Sequence, residues 1–116
     1  MLNPLNQVIL EGNLTREPEL LYTKNGSSVC KFDVAVNFKF KKEETEYNEV
    51  SYVSVTTWNH IAEACAKCLK KGSRVRLTGR LKQEIWTDKE GNKKQKLTVY
   101  ADDVFFVRTT FTKKAA

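Results

Sequence analysis

Twelve residues, Val29 to Phe40, constrain the fold most. Cys30, Phe32, Val34, Val36, Phe38 and Phe40 share one parity, and Lys31, Asp33, Asn37 and Lys39 share the other. Period two over that length predicts a long strand with one dry face and one wet face. Asn25-Gly26 just upstream is a strong hairpin signal. Just downstream, Lys41 to Glu46 is a charged run where no core can form. A hairpin therefore feeds a long strand that ends in two aromatics laced with lysines.

The remaining pattern is also mostly strand. Asn6–Leu14 reads as a first strand in which Gly12 marks a bend, and Leu20–Tyr22 is a short extended piece. Glu49–Trp58 is dense in β-formers. Val53 and Val55 point one way, while Tyr52 and Trp58 point the other among Ser54 and Thr56. Two large rings on a hydroxyl-rich face suit a surface that something flat lies against. A short helix follows, with Asn59 as its N-cap, an apolar stripe of Ile61, Cys65 and Leu69 flanked by Ala62 and Cys68, and Gly72 as its stop. In Ser73–Thr87, Val75, Leu77, Leu81 and Ile85 form the inward parity, with Gly79 among them as a bend; Arg74, Arg76, Arg80, Lys82 and Trp86 line the other side. Asp88–Asn92 turns the chain back into Lys96–Tyr100, with Leu97 and Val99 inward, and Val104–Val107 ends the apolar material. Phe32, Phe105 and Phe106 are expected in the core. Five main strands with one helix between the third and fourth is the order of an all-β OB-fold, a five-stranded Greek-key barrel. The expected domain covers 1–108, with 109–116 a disordered polar tail.

At 116 residues the chain suits one domain that buries roughly two-thirds of its unfolded surface. Twenty Lys and Arg against fourteen Asp and Glu give +6, which favours a polyanionic partner, nucleic acid before membrane. No secretory signal or membrane span is visible, and three cysteines without framework spacing fit a reducing cytosol, so a cytoplasmic location is expected. Catalysis has little to work with. His60 is the one histidine, and no phosphate loop or dinucleotide turn is present. Cys65 and Cys68 have a metal-like spacing, but mid-helix on the apolar stripe they read as core packing. No enzyme activity, cofactor or metal is expected.

What stands out is aromatic and basic together. Phe40, Tyr52, Trp58 and Trp86 lie at strand ends or on wet faces, with Lys39, Lys41, Lys71, Arg80 and Lys82 near them or on their parity. Cations suit phosphates and rings suit base faces. A duplex hides its base faces, so surface rings point to single strands. For Phe40, which continues the core parity, a twist or bulge must turn the ring outward.

Here the chain resembles the bacterial single-stranded DNA-binding proteins. The likeness rests on Asn6–Leu14 with Glu17-Pro18-Glu19, on Tyr22 with Asn25-Gly26, on Ile61-Ala62-Glu63, on Leu69–Val75, on Gly79-Arg80-Leu81 and on Trp86–Gly91. It implies an OB-fold that binds single-stranded DNA without sequence preference and protects it in replication, repair and recombination. It also implies a homo-oligomer, a tetramer ahead of a dimer. The family's stacking positions fall on Phe40, Tyr52, Trp58 and Trp86. Ser51-Tyr52-Val53-Ser54 departs from the family pattern at a histidine tied to subunit contacts, and Arg74 and Arg76 lie where relatives often meet another subunit. Family members end in an acidic tip that recruits replication and repair proteins; the residues here end at Lys113-Lys114-Ala115-Ala116. Two other readings suit the same residues: a dimeric primosomal OB protein of replication restart, and an OB-fold module whose rings meet an apolar protein partner.

Overall fold

The computed structural model describes residues 3–107. The chain runs β1 (Val8–Leu14), β2 (Glu19–Tyr22), β3 (Ser28–Lys42), β4 (Thr45–Trp58), α1 (Asn59–Cys68), β5 (Arg74–Thr87) and β6 (Lys93–Phe106). β1 pairs with β5 and, through Asn13 and Leu14, with β3; β3 pairs with β4, and β5 with β6, all antiparallel. β4 joins β6 in parallel through Val55↔Val99 and Thr56↔Tyr100, which closes the barrel. β2 lies along β3 as a short flap. With α1 between the third and fourth barrel strands, this is the OB-fold that the element order predicts. The expected tail over 109–116 lies outside the described residues.

The barrel interior follows the alternation. Phe32 and Val34 of β3, Val55 of β4, Val75 and Leu77 of β5 and Val99 of β6 are buried together, with Ala62 and Cys65 of α1 packed against them. Burying each large side chain contributes roughly 1.5 to 3 kcal/mol. Gly12 and Gly79 serve close approach between strands. A Cβ on Gly12 would run into the Ala35 carbonyl oxygen, and one on Gly79 into the Tyr100 carbonyl oxygen. Beside Gly79 the β5–β6 register shifts, leaving Asp102 as the extra residue of a bulge.

Both hairpins outrun the barrel. β4 begins at Thr45, not near Glu49, and the β3–β4 ladder runs unbroken from Val29↔Trp58 to Lys42↔Thr45. Glu43 and Glu44, at φ 47° and 68°, make a tight two-residue turn of the kind that matches strand twist. The charged run is thus the tip of an arm. The β5–β6 arm starts where β1 stops pairing, at Val8↔Gly79. The Asn6 side chain extends that edge by one step, donating to the Leu81 carbonyl at 3.0 Å and accepting from the Leu81 N–H at 2.9 Å.

Several expected core positions are therefore bare. Leu81, Ile85 and Leu97 keep the inward parity, yet they lie on the arm, where no opposite layer covers them; Ile85 is 60% exposed. Phe105 and Phe106 are also exposed, not core. Phe105 sits opposite Arg76 on the outer parity, and Phe106 is the last residue of the sheet. Phe32 is buried as expected.

The helix departs from expectation at its start. Trp58, in extended conformation, is the N-cap, and no side chain caps the helix. Asn59 is the first helical residue, at φ +58°, a conformation asparagine tolerates better than most residues. Its carbonyl accepts the Ser28 hydroxyl at 3.2 Å. Cys68 is exposed and off the packed stripe, whereas Cys65 and Cys30 are buried. Among the described residues no helix is long and apolar enough to cross a membrane.

Burial pushes the Cys65 thiol up to about 12 and the Cys30 thiol up to about 11. At neutral pH a maleimide should label only Cys68 in the native protein, and all three cysteines after denaturation. The raised thiols also set a pH limit. The unfolded chain loses these protons near pH 8.5, while the folded chain keeps them. Above that pH the unfolded state binds fewer protons, so stability falls toward the folded values. A lower Tm at pH 10 than at pH 8, with a weaker drop in Cys65→Ala, is expected; equal drops in both proteins would remove Cys65 from the account.

Candidate nucleic-acid interface

The outward parities of four adjacent strands make one concave face. β4 contributes Tyr52, Ser54, Thr56 and Trp58; β3 contributes Lys31 and Asp33; β6 contributes Lys96, Thr98 and Tyr100; β5 contributes Arg80, Lys82, Glu84 and Trp86. The floor is tied by short bonds. The Ser54 hydroxyl donates to Asp33 Oδ1 at 2.9 Å, and the Thr98 hydroxyl to the Ser54 carbonyl at 2.9 Å.

Tyr100 is the centre of this face. The parallel step Thr56↔Tyr100 brings it beside Trp58, whose ring meets it edge-on with centroids 6.0 Å apart. Its antiparallel partner Arg80 places a guanidinium 5.3 Å from the ring centroid. Its hydroxyl donates to Glu84 Oε2 at 3.1 Å. Desolvation, reinforced by Glu84, pushes the Tyr100 hydroxyl above the usual tyrosine range. One hollow is lined by Trp58, Arg80 and Tyr100, a second by Lys31, Lys82, Trp86 and Tyr100. A third, of about 480 Å³, runs past Lys31, Thr56 and Lys96 to the turn before β2. Tyr100 joins the first hollow to the second, and Lys31 and Glu84 join the second to the third.

The sequence-derived residues fall into three places. Trp58, Trp86, Arg80 and Lys82 come together on the concave face, with Trp58 38% and Trp86 45% exposed. Tyr52, 72% exposed, stands farther along β4 on the same parity. Phe40, Lys39 and Lys41 occupy the β3–β4 arm and line a hollow there with Tyr47. No bulge turns Phe40 outward: the ladder is continuous, and the ring is exposed because the arm extends past the core. It stacks on Tyr47 at 5.2 Å and on Phe38 at 6.1 Å between centroids. Lys71 is apart from both groups. It follows α1, lines none of these hollows, and gives its backbone N–H to Glu17.

The β5 cations do not act as one stripe. Arg74 and Arg76 both bind Glu11 of β1, at 2.9 and 3.1 Å. Hydrogen bonds from the two guanidiniums hold the Glu11 carboxyl below the usual range. Arg80 and Lys82, beyond Gly79, turn to the concave face instead. Sequence reasoning missed Tyr100, Tyr47, Lys31 and Lys96, and it marked the strand end that holds Phe38 without naming that ring as a candidate. Tyr100 was findable, because opposite parity to Val99 is the same signal that marks Trp58 against Val55.

Comparison with known proteins agrees with this geometry. Residues 5–107 match the model of the Single-strand binding protein family. The single-stranded DNA-binding protein of Wolinella succinogenes is 43% identical over 100 residues, covering 85% of this chain and 62% of that protein. Its namesake in Deinococcus radiodurans is 40% identical over 105 residues, covering 90% of this chain and 35% of that protein. Single-stranded DNA-binding protein A of Bacillus subtilis is 39% identical over 103 residues, covering 89% of this chain and 59% of that protein. The chain thus spans less than two-thirds of these relatives' length. With the barrel, the concave face and the match across nearly all described residues in agreement, the chain belongs to the single-strand binding protein family.

Proposed function

We propose that this chain binds single-stranded DNA, without an overall sequence requirement, and shields it during replication, repair and recombination. Bases stack on Trp58 and Trp86, and Tyr52 and Phe40 extend the path toward the β3–β4 arm. Arg80 and Lys82 take phosphates on the concave face and Lys39 and Lys41 on the arm, while Lys71, apart from both, lies off this path. The chain performs no reaction. The observation that carries this reading is two half-exposed indoles flanking Tyr100 on one concave face, each beside a cation. Membership of a family whose relatives are named for single-stranded DNA supports it. A homo-oligomer, tetramer ahead of dimer, is part of the proposal, as is a cytoplasmic, nucleoid-associated location.

Oligo-dT should quench the tryptophan fluorescence. Affinity should fall linearly on a log–log plot against salt, with a slope of about −2.8 if these four cations engage phosphates. An unquenched signal, or affinity indifferent to salt, would contradict the proposal. Quenching by an apolar peptide alone would favour a protein-interaction module.

A further inference from the structure

A carboxylate stands among the cations of the concave face. Glu84 lies on β5 between Lys82 and Trp86, on their parity. Its cross-strand neighbour is Lys96, a placement that commonly yields an ion pair. Among the described residues, however, the ion pairs are Arg16–Asp33, Arg74–Glu11, Arg76–Glu11 and Lys94–Asp88, and Glu84 is in none of them. Its Oε2 instead accepts the Tyr100 hydroxyl at 3.1 Å. That bond holds the carboxylate toward the centre of the groove, where it lines the hollow beside Trp86 as well as the cleft past Lys31.

A phosphate gains nothing from a carboxylate and is repelled by it. A base edge can gain. Cytosine carries an amino donor at the position where thymine carries a carbonyl acceptor. A carboxylate accepts from the first and repels the second, and its remaining lone pairs stay free after Tyr100 has used one. Glu84 is also two residues from Trp86 on one strand face, so a base stacked on that indole lies near it.

We propose that Glu84, held in place by the Tyr100 hydroxyl, makes the subsite beside Trp86 discriminate among bases, favouring those with an exocyclic amino group over thymine. This bias adds to stacking at one position. It rests on the reading of the concave face as a single-strand site. Tyr100 is a positioning residue here, acting through Glu84.

The test is a titration of wild type, Glu84→Gln and Tyr100→Phe with oligo-dC and oligo-dT of equal length, at one salt concentration and neutral pH. The quantity read is the ratio of the two Kd values, which cancels general changes in affinity. Glu84→Gln should move the ratio toward dT by about tenfold, the low end for a charge-assisted hydrogen bond. Tyr100→Phe should move it the same way by a smaller factor. If Glu84→Gln tightens both oligomers equally and leaves the ratio unchanged, the proposal is overturned, because the carboxylate then only repels backbone. Should Glu84→Gln fail to fold, Glu84→Asp gives the same reading: it keeps the charge but withdraws it, so the ratio should still shift. Wild type that binds neither oligomer overturns the single-strand reading and this proposal with it. Wild type that binds both, with a ratio no variant alters, overturns this proposal alone.

Discussion

Replacing Trp58 and Trp86 together by alanine should nearly abolish binding of oligo-dT while leaving the fold intact. Each indole supplies roughly 1 to 3 kcal/mol of stacking, a loss of about five- to 150-fold apiece. Neither ring is part of the buried core, so the thermal transition should move little. The two effects should not add perfectly. Trp58 touches Tyr100 edge-on, and Tyr100 carries Arg80, so loss of Trp58 also loosens a phosphate contact. Among the described residues Trp86 has no such ring partner, and it should behave as a pure stacking loss. Tyr22→Ala, an exposed ring on β2 outside the concave face, is the control and should bind as wild type. A double tryptophan variant that folds and still binds like wild type would show that the strand lies elsewhere.

Gly79→Ala should damage both stability and binding. The added methyl would meet the Tyr100 carbonyl oxygen and the Ala101 Cα, which are backbone atoms that no rotamer change moves aside. Overpacking of this kind costs roughly 1 to 3 kcal/mol, so Tm should fall by several degrees. The strain lands on the strand that carries Tyr100. Arg80 and Trp58 lose their common support, and the folded fraction should bind oligo-dT more weakly. An unaltered Tm would mean that β5 and β6 separate without cost at this point.

Much of this was open to a reading of residue order, and the failures have a common cause. Alternation in Val29–Phe40 and Ser73–Thr87 states which side chains share a face, and it does so correctly. It does not state how far the opposing layer extends. Leu81, Ile85, Leu97, Phe38 and Phe40 all obey the inward parity, and all lie beyond the barrel's edge. Only the partner strands decide that: β1 pairing stops at Val8↔Gly79 and leaves the β5–β6 arm alone, and β3 and β4 run on together past the barrel. Asn59 fails for another reason: its good capping chemistry is overridden by a sharp strand-to-helix turn that needs a positive φ, leaving Trp58 as the cap. Tyr100 is invisible as a centre because its neighbours come from strands far apart in sequence. Trp58 and Trp86 are legible because each interrupts a polar or cationic run, where an indole has no structural reason to be.

The parallel seam between β4 and β6 holds by just two residue pairs, Val55↔Val99 and Thr56↔Tyr100. Every other barrel junction but the short β1–β3 contact is a longer antiparallel ladder. A nucleotide chain reaching from Trp58 on one bank to Trp86 on the other crosses that join from outside. A polymer bound along this path would work as a clasp over one of the cylinder's two shortest closures, and occupancy would lend rigidity where the backbone itself supplies little.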